Sequence, residues 1–250
     1  MKERSGWVNP YLSHYLSAIV RNDTRFNLCF PSWPTVDFVP HDVARNRLAI
    51  DFLESRADYW LTADNDTIPA YFGRWTDLLG MASLGLPIVG APCPIFGDWV
   101  WFNVYKRDEP QPTGARYRTL KKEEVFADLD PETMLKKVDS IGFGAMMIRR
   151  DVVVRLIAAD GYFCRFRLNP YTQERELGED HDFCERAQAQ GFEIWASYRH
   201  ICGHFKQIDV LQALAIEKDM RIADERARAF LETIATRSQQ PRPGQDRAQG

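Results

Sequence analysis

No apolar run in this 250-residue chain approaches the length of a membrane span, and the opening residues Met1 to Gly6 hold nothing like a signal-peptide core. A cytoplasmic protein with no membrane span is therefore expected. An excess of positive charge is missing too. Against 35 Asp and Glu stand 32 Lys and Arg, giving a net charge of −3 and a pI near 6.0. Composition thus gives no indication of nucleic acid as a partner. The five cysteines (Cys29, Cys93, Cys164, Cys184 and Cys202) are odd in number and form no C-x-x-C pair. That argues against a zinc ribbon or a disulfide framework and suits reduced thiols. Gly142 and Gly144 make a G-x-G without a third glycine or an immediately following helix, which argues against a dinucleotide-binding loop. No segment repeats.

What remains is the composition of a globular domain: 45% hydrophobic and 27% charged residues, in a length that suits one α/β unit. Apolar spacing predicts a helix over 11–20, with Leu12, Tyr15, Leu16 and Ile19 on one face. A short strand follows over 26–30. Asp42 is a good N-cap for a helix running to 55, in which Ala44, Leu48 and Phe52, and also Ala49 and Leu53, recur every four residues. Further along, strands are expected at 59–63, 87–90, 99–105, 145–148 and 192–196, with helices at 75–84, 151–159 and 180–190 and a polar loop over 107–119. This alternation argues for a layered α/β fold. A helical extension over 210–238 and a disordered polar tail over 239–250 complete the chain.

The strand at 59–63 runs into Asp64-Asn65-Asp66. Ligands of open α/β sheets bind beyond the carboxyl ends of strands, and two carboxylates two positions apart on a turn can converge on one hard divalent cation. An ordinary turn has the same composition, because Asp and Asn favour turns. Glu179 and Asp180 open a helix, where exposed amides favour acids for purely structural reasons, and where a carboxylate is also kept ionised for work as a base. His204 is either a loop histidine or a ligand, with His200 the second choice. Arg45 and Asn46 lie on a helix whose polar face needs no other explanation. Trp99 and Trp101 suit core packing or an acceptor platform.

The order of these segments resembles family-2-like GT-A glycosyltransferases. Residues 45–66 resemble the first half of that family, in which an Arg-Asn helix precedes a D-x-D strand. Residues 139–150, around Gly142-Phe143-Gly144, look like its donor-sugar segment. Gly178-Glu179-Asp180 resembles its E-D motif, and Cys202-Gly203-His204 its late histidine. The likeness spans roughly residues 9–206 and implies a catalytic domain over 1–209 with a GT-A-like mixed sheet flanked by helices. It also implies transfer of a sugar from a UDP- or GDP-sugar to an acceptor hydroxyl, with inversion, using Mn²⁺ or Mg²⁺. Asp66, Asp64 and His204 would hold the metal, and Asp64 could touch the ribose instead. Arg45, Asn46, Asp64, Asn65, Gly142 and Gly144 would bind the donor. Asp180 would be the general base and Glu179 would orient the acceptor. The alternatives are a nucleotidyltransferase of related fold, whose basic Gly-rich loop is not found near the N-terminus, and a non-catalytic sugar- or partner-binding protein.

Overall fold

The computed structural model describes residues 10–29, 41–71, 74–95, 101–108, 117–168 and 175–204. The expected helical extension and tail beyond 209, and Trp99, lie outside these residues, as does the side chain of Trp101. Five strands build a central mixed sheet, in the order Tyr59–Ala63, Ala145–Arg149, Ile88–Gly90, Ile194–Ser197, Leu135–Val138. The first three neighbour one another antiparallel, Ile88–Gly90 and Ile194–Ser197 run parallel, and Leu135–Val138 closes the far edge antiparallel.

Helices cover both faces, so inner strands are apolar on both sides rather than alternating. Ala145, Met146, Met147 and Ile148 are all buried for that reason. On one face Ile88, Met146, Ile148 and Ile194 pack with Ala49 and Phe52 of helix His41–Ser55, Val152, Val153 and Leu156 of helix Arg150–Asp160, and Phe183 and Ala187 of helix Glu179–Ala189. On the other, Val89, Ala145 and Met147 meet Tyr15 of helix Pro10–Asn22 together with Leu78 and Met81. Even the edge strand divides this way, sending Trp60 to the first cluster and Tyr59 and Leu61 to the second. Among the described residues no helix is long and apolar enough to cross a membrane.

Several expectations need adjustment. Residues 26–29 form no strand; Arg25 is instead tied to Asp23 and Asp77 at 2.7 and 2.6 Å. The helix expected at 75–84 is a 3₁₀ helix over Leu78–Leu84, capped by Asp77, which accepts the Gly80 N–H, and ended by Gly85 at a φ of 68°. A 3₁₀ turn superposes residues three apart, which lines up Leu78, Met81 and Leu84 against the sheet. The expected strand at 99–105 divides into Trp101–Phe102 and Val104–Arg107, and the polar loop after it contains the strand Tyr117–Thr119. Asp42 lies inside the first helical turn rather than before it; its Oδ1 accepts the Val43 N–H and its Oδ2 that of Phe166.

Candidate functional site

The antiparallel and parallel pairings bring one set of ends together. The carboxyl ends of Tyr59–Ala63, Ile88–Gly90 and Ile194–Ser197 share an edge of the sheet with the amino end of Ala145–Arg149. At that edge the Asp64 N–H donates to the Gly144 carbonyl at 2.9 Å, and the Thr67 N–H closes a turn on the Asp64 carbonyl, also at 2.9 Å. The Thr67 hydroxyl donates to the same Gly144 carbonyl. The Asp-Asn-Asp segment is thus clamped to the glycine loop, with Asn65 exposed at its apex.

Its two carboxylates go to different partners. Asp66 meets the late histidine because strand Thr67–Ile68 pairs antiparallel with Gly203–His204, setting His204 opposite Thr67. His204 Nε2 lies 2.8 Å from Asp66 Oδ2, and Nδ1 lies 3.0 Å from the Pro94 carbonyl oxygen. A carbonyl only accepts, so Nδ1 carries a hydrogen. Nε2 then faces the carboxylate either as the second N–H of an imidazolium or as a lone pair sharing a cation with it. Behind the pair, the Cys202 thiol and then burial push the buried Cys93 thiol well up, so Cys93 stays neutral and offers no thiolate.

Asp64 turns toward helix His41–Ser55. Its Oδ1 accepts from Arg45 Nη2 at 2.8 Å, and Arg45 Nε lies 3.8 Å from Glu179 Oε1. The Arg45 guanidinium also stacks 4.2 Å above the Phe143 ring. His41 Nδ1 reaches the same Glu179 oxygen at 3.6 Å. Burial works against a charge on Glu179, but the His41 contact, a backbone N–H and Arg45 more than offset it, holding its pKa below the ordinary range. The same contact raises that of His41. Arg45 therefore joins three expected site segments: the 64–66 turn, the glycine loop and the start of helix Glu179–Ala189.

The remaining expected residues are placed as follows. Asp180, half-buried beside Glu179, stands apart from the Arg45 chain and accepts the His181 N–H at 2.8 Å. Burial, with the charge of Asp180 adding to it, pushes the Tyr105 phenol up to about 12, so it remains protonated near the helix start. Gly142 and Gly144 are needed for packing: a Cβ at Gly142 would come 2.8 Å from Asn103 Nδ2, and one at Gly144 3.0 Å from Cys93 Sγ. Asn103 is a site-forming residue that the sequence did not single out. It is buried, its Oδ1 accepts the Cys93 N–H at 2.8 Å, and its backbone bridges Cys93 and Gly142 at 2.9 Å each. A polar residue between Phe102 and Val104 is the signal that could have marked it.

Asn46 is a staple in the fold. Its Nδ2 donates to the Asp42 and Cys164 carbonyls and its Oδ1 accepts the Phe163 N–H, each at 2.6 Å. Asn46→Leu is expected to cost about 2–4 kcal/mol of stability by orphaning those backbone groups. Urea unfolding beside a nucleotide titration checks this; lost affinity at parental stability would make Asn46 a donor contact instead.

His200 is buried and paired with Ser197 at 2.6 Å, and burial pushes its pKa down. The folded chain therefore takes up fewer protons there than the unfolded chain, so this contribution is present above roughly pH 6.5 and is lost as pH falls through the lowered folded value. Thermal unfolding between about pH 7.5 and 5 should show His200→Gln losing less stability than the parent. The raised His41 acts in the opposite direction in both proteins, so the difference between them isolates His200.

Among the described residues no three His, Cys, Asp or Glu side chains gather as a metal cluster. Asp66 and His204 come together and Asp64 does not join them. All five cysteines are free thiols. No family model matches the chain. No curated protein matches it either. Among solved structures it is similar to A197 from STIV, at 17% identity and a TM-score of 0.40, covering 66% of this chain and 68% of that one. At that score the likeness carries no argument about fold or function.

Proposed function

We propose that this chain is a GT-A-like glycosyltransferase, acting in the cytoplasm, that moves a sugar from a UDP- or GDP-sugar to an acceptor hydroxyl with inversion. The observation that carries this reading is the Asp66–His204 contact, beside a turn at the carboxyl edge of the sheet, with Nδ1 fixed on a backbone carbonyl. Ligating histidines commonly donate their other N–H in this way. A carboxylate oxygen is the donor that Mn²⁺ and Mg²⁺ prefer, with the imidazole nitrogen as a weaker second ligand that Mn²⁺ accepts more readily. Either ion takes few protein ligands and completes its shell with phosphate oxygens and water. Asp66 and His204 would hold the ion, which when bound neutralises charge on the leaving diphosphate.

The protein's own part is positional and acid–base. The acceptor oxygen attacks the anomeric carbon, the bond from that carbon to the diphosphate oxygen breaks, and Asp180 takes the acceptor's proton. Glu179, kept ionised by His41 and Arg45, orients the acceptor. Asn65, exposed at the apex of the turn, would meet the donor at the same edge.

A thermal-shift panel of nucleotide-sugars with and without Mn²⁺, followed by a donor-hydrolysis assay, tests the reading. Ligand at a hundredfold excess over Kd stabilises by about 2.7 kcal/mol, a shift of several degrees in a chain of this size. A shift by a UDP- or GDP-sugar only with Mn²⁺, and release of nucleoside diphosphate, supports transfer. Release of pyrophosphate from a nucleoside triphosphate and a sugar phosphate would point to a nucleotidyltransferase, and a shift without turnover to a binding protein.

A further inference from the structure

Arg45 divides the two carboxylates of the 64–66 turn. Its side chain is only 12% exposed and is fixed on three sides, by Asp64 at 2.8 Å, Glu179 at 3.8 Å and the Phe143 ring at 4.2 Å. Its Nε is buried without a hydrogen bond, so charge and stacking hold the group there. The helix carrying it has little freedom to move away, because the next residue, Asn46, is bound on both sides of its amide. Asp66 lies two positions from Asp64, yet its carboxylate meets His204.

We infer that Arg45 withholds Asp64 from the cation, so that before a donor arrives Asp66 and His204 alone hold the ion, weakly, and the nucleotide diphosphate tightens its binding. This rests on the cation role proposed above for Asp66 and His204. A carboxylate oxygen spent on a guanidinium has lost part of its capacity for a second cation, and the fixed positive charge repels a divalent ion nearby. A site with two protein ligands keeps positions open for phosphate oxygens and water, whereas a third, anionic ligand would tighten it and narrow its access. Arg45 is thus a positioning residue that acts through Asp64.

The test is Mn²⁺ binding without nucleotide, read as free Mn²⁺ by electron paramagnetic resonance, in the full chain and in Arg45→Gln, Asp64→Asn, the Arg45→Gln/Asp64→Asn double variant and Asp66→Ala. Arg45→Gln should bind Mn²⁺ about tenfold more tightly than the parent, since ligand charge count tunes such sites. The double variant should return to within about threefold of the parent, because it lacks both the withheld carboxylate and the residue that withholds it. A residue that merely supports the fold would lower the melting temperature without tightening Mn²⁺ binding. Arg45→Lys keeps the charge but cannot span both carboxylates, and should tighten binding to a smaller extent; it serves if Arg45→Gln folds poorly. Parental affinity in both Arg45 variants, or a double variant ten or more times weaker than the parent, would overturn the inference. If neither the parent nor Arg45→Gln binds Mn²⁺, alone or with nucleoside diphosphate, the cation role itself fails and takes the inference with it. If Asp66→Ala abolishes binding and Arg45→Gln leaves it unchanged, the inference fails alone.

Discussion

Asp66→Ala is expected to abolish Mn²⁺-dependent binding of UDP or GDP while leaving the fold intact. The carboxylate and His204 are the two side chains brought within 2.8 Å of each other at the edge of the sheet, and an ion shared between them loses its charged ligand in this variant. A loss of at least about a hundredfold in affinity follows, since removal of one anionic ligand from a two-ligand set leaves a lone imidazole that hard cations favour little. The structural cost is small. Both side chains are partly exposed, at 31% for Asp66 and 22% for His204, and ion pairs at such positions contribute about 0–1 kcal/mol. Calorimetric titration with nucleotide and Mn²⁺, beside thermal unfolding, separates the two effects. Equal affinity in parent and variant would remove Asp66 from the metal assignment.

Most of the sheet, its Tyr59–Ala63 edge included, was legible because both of its faces are covered. Tyr59–Ala63 matches the expected strand, and Ala145–Arg149 extends the expected one by a single residue. The edge strand Leu135–Val138 was not legible: its sequence Leu-Lys-Lys-Val lacks a regular apolar alternation. Lys136 points to the buried side with its ammonium 3.6 Å from Asp128, and Lys137 points outward to Glu193 at 2.7 Å. A snorkelling lysine at a core-facing position defeats a pattern argument. Short helix Lys122–Ala127 escaped for a different reason. Its start rests on Glu124 accepting the Lys121 N–H, in a stretch with few apolar residues to set a period.

The site was legible in its residues and less so in their partners. The Asp-Asn-Asp turn and His204 could be picked out by order along the chain, and a two-residue ladder between 67–68 and 203–204 brings Asp66 and His204 into contact. That Asp64 turns the other way depends on where helix His41–Ser55 docks, and Asn46 fixes that docking through Phe163 and Cys164, 117 and 118 residues away. No local pattern encodes such a contact. The two glycines were picked out for close approach to a sugar. In the fold their missing side chains leave room for Asn103 and Cys93, which is a packing requirement.

Asp180→Asn is expected to leave donor binding near normal and to lower sugar transfer by about 10²–10⁴-fold, the usual contribution of a positioned general base. The substitution is nearly isosteric. Asp180 accepts the His181 N–H through Oδ1, and an amide oxygen can accept it equally well. Helix Glu179–Ala189 begins after Gly178, and Glu179 and Asp182 remain in its first turn, so its start keeps acidic side chains beside the exposed amides. What Asn cannot do is take the acceptor's proton as the acceptor oxygen bonds to the anomeric carbon. Because that work belongs to the transition state, the loss should appear in kcat, with the KM for donor little changed. A carboxylate that only steadied the helix start would give a different result: losing its charge in the first turn would cost about 0.3–1 kcal/mol of stability, and turnover would stay within a few-fold of the parent. Glu179→Gln provides the contrast. It removes the anion that faces His41 and Arg45, so it should disturb stability as well as turnover. Steady-state transfer kinetics on the two variants and the parent, with Mn²⁺ saturating, decide the assignment. An Asp180→Asn protein that transfers sugar at nearly the parental rate would rule Asp180 out as the base, and Glu179 would be the next carboxylate to test.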